Sequence, residues 1–99
     1  MADIHIRREH TLGLDKAREL ATQWIDGASK KMGLTCQHQP GDQQDLIKFE
    51  RSGVEGQMVV SANAFELTAK LGMMMKPLKG MIEGEIDKNL QKLLERGAA

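Results

Sequence analysis

Cys36 and His38 stand two residues apart, and with His5 and His10 they are the only thiol and imidazole groups in the chain. In an extended stretch, residues two apart share a face, so this pair has the chemistry of a soft metal site but only half its ligands. A tetrahedral centre needs three or four donors at fixed spacing. No metal and no cofactor is expected, and a histidine at the rim of a core is the ordinary reading. Glu83 and Glu85 point to different sides of a helix and form no carboxylate pair. Gly-x-Ser-x-Gly, His-Glu-x-x-His, phosphate-loop and glycine-rich dinucleotide patterns do not occur in the sequence. One chemical possibility is left. Cys36, His38, Met58 and Met75 could line a pocket for a small apolar ligand between a sheet and the C-terminal helix, with binding or a minor hydrolase or isomerase activity.

Methionine supplies the second candidate. Met73, Met74 and Met75 run consecutively and Met81 follows, flanked by Lys70, Lys76 and Lys79. Methionine is flexible and polarizable, and suits a surface that must fit varied apolar partners. The alternative is that these residues close the core where a strand enters the last helix, since apolar residues at a junction are ordinarily packed inside. Pro77 disfavours helical backbone at Lys76, which predicts the methionines in a turn or a separate helical turn. Gly80 and Gly84 lie one turn apart, each costing about 1 kcal/mol relative to Ala in a helix interior. Close approach of the first helix, or of a second copy in a homodimer, would compensate.

The elements that position these residues begin with the last third of the chain. Leu78, Ile82, Ile86, Leu90 and Leu93 recur at spacings of four and three, which predicts an amphipathic helix from Pro77 to Arg96. It would be about 30 Å long at roughly 1.5 Å per residue, so the preceding residues must supply a matching apolar surface. Ile4 and Ile6 alternate with Asp3, His5 and Arg7 as in a strand buried on one face. A first helix follows, with Gly13 as N-cap, Asp15 in its first turn, Leu12 stapled onto Ala17, and Gly33 just past its end. Its apolar stripe is Ala17, Leu20, Ala21, Trp24, Ile25, Ala28 and Met32, and Asp15, Arg18 and Glu19 read as a solvated face. Leu34, Cys36 and His38 alternate next; 40–44 is a loop by composition; Ile47 and Phe49 alternate after it. Ser52-Gly53 is a hairpin turn, Gly56, Met58, Val60 and Ala62 face one way, the chain turns near Asn63, and Phe65, Leu67, Ala69 and Leu71 complete the pattern.

One apolar and one polar face on each strand means a sheet covered on one side. The fold class expected is therefore two-layer α+β: a five-stranded antiparallel sheet in the order 1-5-4-3-2 with two helices on one face, a helix-grip-like arrangement. Ninety-nine residues make one domain, 1–99, with a small core. Fourteen basic and fourteen acidic residues leave no net charge, which argues against a nucleic-acid footprint. One Trp, two Phe and no Tyr provide no base-stacking platform. A single cysteine permits no internal disulfide and suits a reducing compartment. With no apolar leader and no stretch of roughly 18 to 20 apolar residues, a cytoplasmic protein without a transmembrane segment is expected.

Val54-Glu55-Gly56 leading into an alternating strand, then Leu71, Pro77, the run Lys79-Gly80-Met81-Ile82-Glu83-Gly84-Glu85-Ile86, and Leu90, resemble the polyhydroxyalkanoic acid system family of small bacterial proteins. The resemblance spans nearly the whole chain, including the Ile4-x-Ile6 strand and the helix bearing Ala17. It implies a role at polyhydroxyalkanoate storage granules and carries no catalytic residues across. The function expected is a non-catalytic accessory or binding protein, acting at the granule surface or on a granule protein through Met73, Met74, Met75, Met81, Lys76 and Lys79.

Overall fold

The computed structural model describes residues 3–31 and 33–98. Along the chain run β1 (Ile4–Glu9), α1 (Leu14–Lys31), β2 (Thr35–Gln39), β3 (Gln44–Arg51), β4 (Val54–Ser61), β5 (Ala64–Leu71), a 3-10 turn (Lys76–Leu78) and α2 (Lys79–Ala98). The sheet order is β1-β5-β4-β3-β2, with every neighbouring pair antiparallel. The chain is thus an α+β domain with the expected strand order.

Hairpins account for β2 to β5, and β1 returns beside β5 because its alternating face completes the same apolar layer. Asp3 secures that return: its N–H donates to the Ala69 carbonyl at 2.8 Å, and its carboxylate accepts the Leu71 N–H at 2.8 Å. The Leu71 bond is the main reason its carboxyl is held below the usual carboxylate range.

Ile4, Ile6, Ile47, Phe49, Met58, Val60, Phe65, Leu67, Ala69 and Leu71 are buried on the inner face. Across the outer face His5, Thr68, Gln57, Lys48 and Gln37 are successive cross-strand partners, so that side is polar. The helices share the inner face and touch each other, α1 over β4 and β2 and α2 over β1.

Gly13 caps α1 as expected, its carbonyl accepting the Ala17 N–H at 3.0 Å. Ala17, Leu20, Ala21 and Trp24 are buried, and the Trp24 indole meets the Phe49 ring edge-on with centroids 5.6 Å apart. The side chain of Ala28 and the whole of Met32 lie outside the described residues. Arg8 ties β1 to α2 through Asp87, with its Nε donating at 2.9 Å. Both side chains are more than a third exposed, so the pair contributes at most about 1 kcal/mol.

Three local expectations are corrected. α2 begins at Lys79 rather than Pro77, because Lys76–Leu78 winds as a separate 3-10 turn around the proline. Leu78 is consequently off the buried stripe and 41% exposed, and Ile86 is the first buried residue of α2. β4 ends at Ser61, so Ala62 is exposed in the turn rather than facing the core.

Gly56 has a steric reason to be glycine. A Cβ there would lie 2.4 Å from the Thr68 carbonyl oxygen and 2.6 Å from the tip of the Phe49 ring. The ring therefore uses the space that a side chain on the neighbouring strand would fill.

Candidate functional site

Where β5 leaves the sheet, the backbone is pinned before it turns. The Gly72 N–H donates to the Gly53 carbonyl at 2.8 Å, and the Gly72 carbonyl accepts the Met75 and Lys76 N–H groups at 2.9 and 3.1 Å. The three methionines thus occupy a tight turn, as Pro77 led one to expect. The turn separates them. Met75 folds inward over the β3–β4 hairpin, where Gly53 sits at φ +84° and a Cβ would lie 2.7 Å from Met75 Cγ. It packs against the core, whereas Met73 and Met74 are 88% and 89% exposed.

No described residue from Gly72 to Glu85 is fully buried: in the first two turns of α2 only Ile82 packs against the core, half-buried, and most of the remaining side chains are exposed. Met81, in the first turn of α2, is 65% exposed. Met73, Met74, Leu78 and Met81 thus present four apolar side chains to solvent within residues 73–81. Lys70, Lys76 and Lys79 beside them are exposed as well. Scattered exposed apolar residues need no explanation; four within nine residues of chain, on one turn and the helix start that follows it, make this stretch the candidate contact surface.

The opposite end of the sheet holds a site that the sequence reading did not identify. Asp45 is fully buried. Its Oδ1 accepts Arg18 Nε–H at 3.0 Å and the Gly41 N–H at 3.2 Å, and its Oδ2 lies 2.7 Å from His38 Nε2. A carboxylate only accepts, so Nε2 carries the proton. Arg18 donates a further bond to the Gly41 carbonyl. Arg18 is therefore not part of a solvated face: it joins α1 to the β2–β3 loop. Burial opposes charge on Asp45, but bonds from His38, Gly41 and Arg18 outweigh it and hold the carboxyl below the usual range. A signal was available: Asp45 precedes Ile47 and Phe49 in the same period-two register, which puts it on the inner face.

An aspartate holding a histidine is also how a general base is oriented, so the neighbouring thiol matters. Cys36 is half-buried, and burial pushes its pKa up, away from the thiolate a nucleophile requires. Met58 is fully buried in the core, against which Cys36 packs from the edge. Neither described depression is lined by Cys36, His38 or Met58. The larger, about 430 Å³, is open on the outer face around Gly56, Lys48 and Gln57; the smaller, about 250 Å³, lies beside Gly53 and Gly72.

Among the described residues no three His, Cys, Asp or Glu side chains converge on a possible metal position. Among the described residues a Cβ at Gly80 or Gly84 would meet nothing within 4 Å, so the expected close approach of α1 to these glycines is not found there. Both glycines are exposed in the first two turns of α2, and packing among the described residues does not account for them.

The fold and its surface define a two-layer α+β domain distinguished by an exposed, lysine-flanked apolar tip. Residues 4–94 match the family described as "Putative polyhydroxyalkanoic acid system protein", and the chain belongs to that family. No curated protein and no solved structure matches it. Several residues that carried the family resemblance have evident structural roles: Val54, Leu71, Ile86 and Leu90 are core, and Gly56 makes room for Phe49. No described helix is long and apolar enough to cross a membrane.

Proposed function

We propose that this protein is a non-catalytic accessory protein of polyhydroxyalkanoate metabolism that attaches to the storage granule, at its surface or on a protein there, through the tip. The observation that carries the reading is the exposure of Met73 and Met74, 88% and 89%, on a turn that the same backbone pins in place. Fixing the turn in advance lowers the ordering cost of binding. Burying a large apolar side chain contributes about 1.5 to 3 kcal/mol, so Met73, Met74, Leu78 and Met81 together support reversible attachment rather than permanent insertion. Lys70, Lys76 and Lys79 add attraction to an anionic coat, over a range of about 8 Å at physiological salt.

The test is co-sedimentation with isolated granules. Replacing Met73, Met74 and Met81 by Ser should abolish most attachment while shifting the thermal midpoint little, because these side chains are outside the core. Attachment equal to that of the unmodified protein would reject the tip as the contact surface.

A further inference from the structure

Among the described residues sulfur is distributed unevenly between the surface and the core. Among the described residues, Met73, Met74 and Met81 are three of the four large hydrophobic side chains left exposed, and the fourth is Leu78. Among the described buried hydrophobic residues Met58 is the single methionine, beside Ile, Leu, Val, Phe, Ala and Trp. Leucine would give the tip comparable apolar surface. What the thioether adds is adaptability and a lone pair that an oxidant can reach.

We propose that the tip is a peroxide-sensitive modification site, at which oxidation of Met73, Met74 and Met81 to sulfoxides releases the protein from the apolar surface it contacts. The oxidant is a hydroperoxide. Each thioether sulfur donates an electron pair to the terminal peroxide oxygen and the O–O bond breaks. That oxygen becomes the S=O oxygen, and the other leaves as water or an alcohol. The product is a polar side chain where an apolar one met its partner, and reduction by a thiol-dependent sulfoxide reductase restores it. Exposure provides the selectivity. Met73, Met74 and Met81 are 88%, 89% and 65% exposed, Met58 is 0% exposed, and Met75 is half-buried over Gly53. Oxidation therefore changes the contact surface and leaves the core intact.

The release step rests on the attachment proposed above, so the experiment separates the two. All proteins carry Cys36→Ser, which removes the thiol as a competing target. The folded protein is treated with limiting hydrogen peroxide and its peptides are mapped by mass spectrometry. Sulfoxide is expected at Met73, Met74 and Met81 well before Met58, and oxidation of Met58 at a similar rate would overturn the site assignment. Granule co-sedimentation is then compared with and without peroxide. Oxidised protein should bind at least about ten-fold more weakly, equivalent to losing one well-buried contact. Attachment of the M73L/M74L/M81L variant, measured against its own untreated sample, should not change with peroxide. If the oxidised protein attaches normally while the serine variant does not, the release mechanism fails and the attachment reading stands. If the serine variant attaches normally, both fail. Equal peroxide sensitivity of the leucine variant would place the effect elsewhere and also overturn the proposal.

Discussion

Asp45, at the end of the sheet where β2 turns into β3, is 0% exposed, whereas Met74, at the end where β5 leaves the sheet, is 89% exposed. One is a charge inside, the other an apolar side chain outside, and each departs from the usual partition in the opposite direction. The difference lies in what surrounds them. Three donors from α1, β2 and the intervening loop satisfy Asp45 within the chain. Met73 and Met74 meet nothing comparable, because the turn that carries them directs only Met75 toward the core. A satisfied exception is a structural device. The exposed pair has no such account among the described residues, which is why the proposed attachment is placed there.

That comparison can be broken at three levels. The core between the two ends sets the scale: Leu90, fully buried on α2, should cost about 2 to 5 kcal/mol when truncated to Ala. An unchanged denaturant midpoint would mean that α2 is not held against the sheet.

Asp45→Ala should come next, at roughly 2 to 4 kcal/mol, since it leaves Arg18 and His38 without their acceptor while both remain partly open to water. The pH dependence has a definite sign. Because the folded carboxyl titrates below its unfolded value of about 3.9, its contribution is complete above that value and is lost as pH falls through the lower folded pKa. Acid titrations of stability should therefore show a component below about pH 4 that Asp45→Asn lacks. Loss of granule attachment in a folded Asp45 variant would contradict the proposal that attachment belongs to the methionine end alone.

The smallest effects lie within the methionine run. Met75→Ser should cost about 1 to 2 kcal/mol, less than a fully buried residue, because it uncovers Gly53 and the core edge. Met73→Ser and Met74→Ser should stay within about 0.5 kcal/mol, the usual range for surface substitutions. Chemical denaturation of the three single variants measures this directly. Equal costs at all three positions would mean that the turn does not sort them, and the tip would lose its distinction from the core.

Alternation made the sheet legible. Ile4, Ile6, Phe49, Met58, Leu67 and Leu71 face inward as their spacing predicts, and short connections order β2 to β5. The 3.6-residue period likewise placed Trp24, Ile86 and Leu90 inside. Asp45 was in part legible, through its register with Ile47 and Phe49. Its partner Arg18 was not, because a helical position does not specify which strand end it faces.

The sequence by itself determined which stretches are strands and helices, which face of each is apolar, and the strand order, because these follow from local period and connection length. Tertiary structure alone decided where α2 becomes buried, at Ile86, and with it the exposure of Leu78, Met81, Gly80 and Gly84 before that point. It also separated three identical neighbours, Met73, Met74 and Met75. Side-chain type could not distinguish them, since burial depends on where a turn points each side chain, and that direction was fixed by the docking of Gly72 and Met75 on the Gly53 hairpin.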